Sequence, residues 1–148
     1  MPEEQEQLQE RLLAAWIGIN GALKESRLAG ALTYNEAVVM KLVYDQYRED
    51  GQGRVPVQRI LQRTNMLKSL ANRTVNALCR KGYLQKARGE KDARSLFVSP
   101  VPEQLPAFLA VHRQSLALAE RIIAVIGEED ALRFVRSCEK LSAAGVRL

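Results

Sequence analysis

The stretch KSLANRTVNALCR, residues 68 to 80, carries Lys68, Ser69, Asn72, Arg73 and Asn76 in alternating steps of one and three. Wound as a helix, these five side chains share one face, and Ala71, Val75 and Leu78 take the other. The chemistry that polar face offers is hydrogen bonding to nucleobases and phosphates. A carboxamide can bond an adenine edge through two atoms, a guanidinium can bond guanine, and lysine or serine suits phosphate oxygens. The same residues would equally make a solvated helix face, so the surrounding charge must discriminate.

The charge is strongly asymmetric. Residues 54 to 94 contain eleven Lys and Arg against Glu90 and Asp92 alone, a net +9, while the other 107 residues sum to −4. One contiguous segment of a mildly acidic chain is therefore suited to a polyanion, because attraction to phosphates and counterion release both scale with local charge. A second group with possible chemistry closes this segment: Arg88, Lys91, Asp92 and Arg94, in RGEKDARSLFVS. A single extended guanidinium can enter a narrow minor groove, and Arg88 and Lys91 can clamp backbone phosphates. Asp92 would repel phosphate, so its task is either to aim an arginine such as Arg94 or to stabilise the turn.

The elements that must position these residues follow from periodicity. Leu8, Leu12, Trp16, Ile19 and Leu23 predict a long amphipathic helix over 4–27, broken around Gly30. Thr33 and Glu36 have capping-box spacing ahead of a second apolar stripe, Val38 to Tyr47. RVPV (54–57) allows a short strand. Two short helices, 57–63 and 68–81, with Gly82 as C-cap, flank the connection TNML and make a helix-turn-helix. Strands over 83–88 and 95–98 complete a hairpin, the layout of a winged helix. With Ser99 as a possible cap and prolines in the first turn, a helix is expected to run to about 126, and a last helix follows Gly127.

The fold class expected is thus mainly α with a small β-hairpin wing: a winged helix-turn-helix core, 33–99, flanked by dimerisation helices 4–27 and 102–147. Long helices with a stripe and no partner tend to bury it against a second copy, so a homodimer is expected. The alternative is a monomer whose terminal helices cover the core. The acidic PEEQEQ start and the lack of a membrane-length apolar run predict a cytoplasmic protein without membrane association. Cys79 and Cys138 read as reduced, packing thiols, although Arg80 and Lys81 could activate Cys79. The single histidine, His112, sits on an apolar stripe. With no nucleotide fingerprint, metal spacing or catalytic set, neither an enzyme nor a cofactor is expected.

In this order and spacing the residues resemble the MarR family of bacterial transcription regulators. TNMLKSLANRTVNALCRKGYL (64–84) is similar to the family's recognition-helix segment, and Asp92-Ala-Arg94 matches its wing Asp-x-Arg. The chain departs after the wing, where Pro100-Val101 replace the usual Leu-Thr and Gln104 a glycine. The resemblance implies a dimeric repressor on double-stranded DNA with an inverted-repeat operator, and Arg94 as the minor-groove residue. It also implies release by a small aromatic effector in a cleft that Trp16, Tyr34, Tyr44 and Tyr47 could line, though aromatics at helical spacing also serve as core. The competing function is a winged-helix protein-interaction or architectural module that reads no sequence.

Overall fold

A computed structural model describes residues 2–25, 32–89 and 95–145. Along the chain run α1 (Pro2–Glu25), α2 (Tyr34–Asp50), β1 (Val55–Pro56), α3 (Val57–Thr64), α4 (Lys68–Arg80), β2 (Leu84–Arg88) and β3 (Leu96–Pro100). A 3-10 turn (Pro102–Gln104), α5 (Leu105–Ile126) and α6 (Glu128–Ala143) follow. The strands form an antiparallel sheet in the order β1-β3-β2. The chain has the winged helix-turn-helix architecture expected from its periodicity.

The chain divides into two compact units, 1–114 and 115–148, with the division inside α5. In the first, Val39, Met40 and Val43 of α2, Ile60 of α3, Val75 and Leu78 of α4, Leu84 and Val98 of the sheet, and Phe108 and Val111 of α5 form one buried cluster. The start of α5 therefore belongs to the core of the winged helix, beyond the 33–99 expected from sequence. Helix α1 is different: Leu8, Leu12, Leu13, Trp16, Ile17 and Ile19 are all exposed. Within 115–145 no described residue is buried, and Leu116, Ile122, Ile123, Val125, Ile126, Leu132, Phe134, Val135 and Leu141 face solvent.

Local chemistry accounts for the element ends. Thr33 and Glu36 make both bonds of a capping box at the start of α2. Asp50 ends α2 by accepting the N–H groups of Gly53 and Gln52, which hold its carboxyl below the usual carboxylate range; a bond from Gln46 acts the same way. The break expected over Leu28–Ala31 lies outside the described residues.

Three expectations are corrected. Ser99 and Pro100 do not begin a helix; they extend β3, and α5 starts only at Leu105. The bonds Gly89 N–H to Ser95 O (2.8 Å) and Val101 N–H to Tyr83 O (3.2 Å) fall on the alternate pairs of the ladder, so Pro100, opposite Leu84, sits where β2 needs no N–H. On its other side lies Gly53 (φ +70), where a Cβ would come within 2.9 Å of the Pro100 ring. Second, Cys138 is exposed on α6 and packs no core. Third, the C-cap of α4 is Lys81. Gly82 (φ +85) follows it, and the bonds Gly82 N–H to Cys79 O and Tyr83 N–H to Leu78 O close the helix end.

Candidate nucleic-acid interface

Helix α4 is held by its inner face. Ala71, Val75 and Leu78 are fully buried, and full burial of a Val or Leu side chain contributes about 1.5–3 kcal/mol. Buried Thr74 satisfies its hydroxyl by donating to the Leu70 carbonyl at 2.7 Å. The turn before α4 is fixed with equal economy. Asn65 takes the left-handed conformation (φ 55) that asparagine tolerates well, and its N–H donates to the Leu61 carbonyl at 3.0 Å. Thr64 Oγ1 donates to the Ile60 carbonyl and accepts the Met66 N–H. Met66 packs against the core.

These constraints turn Lys68, Ser69, Asn72 and Arg73 outward, and all four are exposed. No acidic residue lies in the first turn of α4, so its positive N-terminal dipole is unopposed there. Lys68, Asn72 and Arg88 come together along one open cleft of about 580 Å³, floored by Leu61, Leu96 and Phe97. Residues of α4 and of the wing strand β2 thus meet on one surface. Lys91, Asp92 and Arg94 lie outside the described residues.

The C-terminal end of α4 is committed elsewhere. Asn76 is half-buried and accepts a hydrogen bond from Lys86 Nζ on β2. Lys81 Nζ donates to both carboxylate oxygens of Glu36, at 2.9 and 2.7 Å, 45 residues away in sequence. Glu36 is only 5% exposed and completes the capping box of α2, so this ion pair ties the start of α2 to the end of α4. Sequence reasoning found the capping box but missed the ion pair, because nothing local marks a partner so distant. Two other cations are engaged: Arg54 lies 4.2 Å over the Phe97 ring, and Arg59 donates to Gln46 at 3.1 Å.

The aromatic candidates separate in the same way. Tyr44 stacks on His112 with ring centroids 3.6 Å apart, and Tyr47 meets Phe108 edge-on at 5.8 Å; both pack against the core. Tyr47 also borders a cavity of about 350 Å³ with Arg54, Gln85 and Ser99. Trp16 is exposed on α1, and Tyr34 is half-buried at the first turn of α2. Burial lowers the His112 pKa, assisted by Lys41 and Arg48 and opposed by Asp45. Burial also raises the Cys79 thiol, with Lys86 working against it, so Arg80 and Lys81 do not activate this cysteine. Among the described residues no cluster of His, Cys, Asp and Glu could hold a metal ion, and no helix is long and apolar enough to cross a membrane.

No protein-family model and no curated protein matches the sequence. Solved structures do. BpsR of Bordetella bronchiseptica, whose DNA binding is regulated by 6-hydroxynicotinic acid, is 14% identical, with a TM-score of 0.65 over 94% of this chain and 98% of that one. The transcriptional regulator BldR of Sulfolobus solfataricus is 18% identical, with a TM-score of 0.65 over 93% and 95%. The transcriptional regulator PcaV of Streptomyces coelicolor, in complex with its natural ligand, is 16% identical, with a TM-score of 0.60 over 94% and 92%. At these identities the likeness is one of fold: the chain has the MarR-type winged helix-turn-helix fold.

Proposed function

We propose that the chain is a non-catalytic MarR family transcription regulator that binds double-stranded DNA sequence-specifically, as a homodimer on an inverted-repeat operator. Bound over a promoter, it represses. The observation that carries this reading is the outward face of α4, where Lys68, Ser69, Asn72 and Arg73 are exposed in the second helix of a helix-turn-helix and two of them, Lys68 and Asn72, share a cleft with Arg88 of the wing. Asn72 and Arg73 read base edges, Lys68, Ser69, Arg88 and Lys91 hold phosphates, and Arg94, oriented by Asp92, enters the minor groove.

The homodimer is supported by six large apolar side chains exposed on α1 and nine within 115–145, more than a monomer leaves in water. Two-fold symmetry then spaces the half-sites about one helical turn apart. Release by a small-molecule effector is supported by two regulators of this fold, PcaV with its natural ligand and BpsR with 6-hydroxynicotinic acid. Trp16, Tyr34, Tyr44 and Tyr47 remain the aromatic lining proposed for it, with Tyr47 at the edge of a cavity.

The test is selection of genomic duplexes by the purified chain, followed by salt titration on the selected operator and on random duplex. Tight operator binding with a steep negative salt slope, weakened about tenfold or more by Arg94→Ala, is expected. A chain that prefers no sequence at physiological salt is an architectural or protein-binding module instead.

A further inference from the structure

Leu67 breaks two local rules at once. It is the N-cap of α4, with extended backbone (φ −61, ψ 144) and a carbonyl that accepts the Ala71 N–H at 3.0 Å, yet its side chain caps nothing. Ser, Thr, Asp and Asn are favoured at that position, and leucine is among the poorest choices. Its side chain is also 76% exposed, and over the described residues from 32 to 114 it is the one large hydrophobic side chain that is. The next residue back, Met66, packs against the core, so the turn has apolar anchorage without Leu67.

Among the described residues, neither a cap bond nor burial accounts for a leucine here. Its surroundings do point to a use: it leads α4 and is followed by the exposed Lys68 and Ser69, with Arg73 one and a half turns on. We propose that Leu67 is a specificity-determining residue that reads the 5-methyl group of a thymine in the major groove. This inference rests on α4 being the DNA-reading helix. Residues at the leading end of such a helix reach base edges, and the thymine methyl is the apolar group a base pair presents there. Phosphates drawn in by the neighbouring cations bring Leu67 against the bases, and the apolar surface it leaves in water is then buried. A local rule broken at one exposed position, with the rest of the turn well satisfied, is the pattern expected of a functional residue.

Stability and recognition should move in opposite directions. Leu67→Ser supplies a favoured N-cap, so its melting temperature equals or exceeds that of the wild type. Its affinity for the selected operator falls about threefold to tenfold per half-site, the size expected from losing one methyl contact. The decisive experiment replaces operator thymines one at a time by deoxyuridine, deleting the methyl alone, and measures Kd for the wild type and Leu67→Ser by fluorescence anisotropy. The expected result is a thymine whose demethylation weakens the wild type about threefold to tenfold and leaves Leu67→Ser unchanged. Equal sensitivity of both proteins at every thymine, no methyl-sensitive position, or undiminished operator binding by Leu67→Ser overturns the proposal. In each of those cases the wild type still binds its operator, so the DNA-binding reading survives. A wild type that binds no operator removes both.

Discussion

The two halves of α4 carry similar residues and have different fates. Lys68, Asn72 and Arg73, in the first two turns, are exposed, and Lys68 and Asn72 line a cleft together with Arg88. Asn76 is held by Lys86, and Lys81, just past the last turn, is held by a buried carboxylate. A count of cations along the segment treats these groups as equivalent. The structure gives Asn76 and Lys81 partners at the trailing end and leaves Lys68, Asn72 and Arg73 exposed at the leading end, the half to which the proposed function assigns DNA reading.

The largest effect on stability that distinguishes the halves is expected at Lys81. Lys81→Met leaves Glu36 buried without its counterion. Since Lys81 is partly exposed, the cost is below that of a fully buried pair, about 1–2 kcal/mol in urea unfolding. Arg73→Ala, on an exposed side chain, is expected to change stability by less than about 0.5 kcal/mol. Comparable losses for both variants would erase the division between a committed and a free half.

A smaller effect concerns pH. The folded-state pKa of His112 lies below its ordinary value of 6.5, mainly through burial, so the unfolded chain takes up the proton more readily. Its share of stability is therefore complete above about pH 6.5 and declines as pH falls below that value. The urea midpoint should drop between pH 7.5 and 5.5, and His112→Gln should reduce that drop. An unchanged drop would mean that other groups produce it.

Much of this was legible in the sequence, for physical reasons that also mark where reading stopped. The 3.6-residue period separated Ala71, Val75 and Leu78 from the outward residues of α4, because burial of one face is a local pattern. The Thr33–Glu36 capping box was equally local. Pro100 was misread because a proline after serine suits a helix start as well as the end of a strand, and only the register with Leu84 and the approach of Gly53 decide. Lys81 looked like one more cation of the basic segment, since its partner is 45 residues away. Leu67 looked like an apolar residue of the turn, and only its exposure sets it apart from Met66.

The contrast between the halves of α4 is tested most directly by anisotropy titration of one selected operator, at fixed salt, with Arg73→Ala and Asn76→Ala side by side. Removal of Arg73 should weaken binding by about 1–3 kcal/mol, roughly fivefold to a hundredfold, whereas Asn76→Ala should stay within about twofold of wild type. Equal losses for the two variants, or a greater loss for Asn76→Ala, would contradict the assignment of DNA reading to the leading half of the helix.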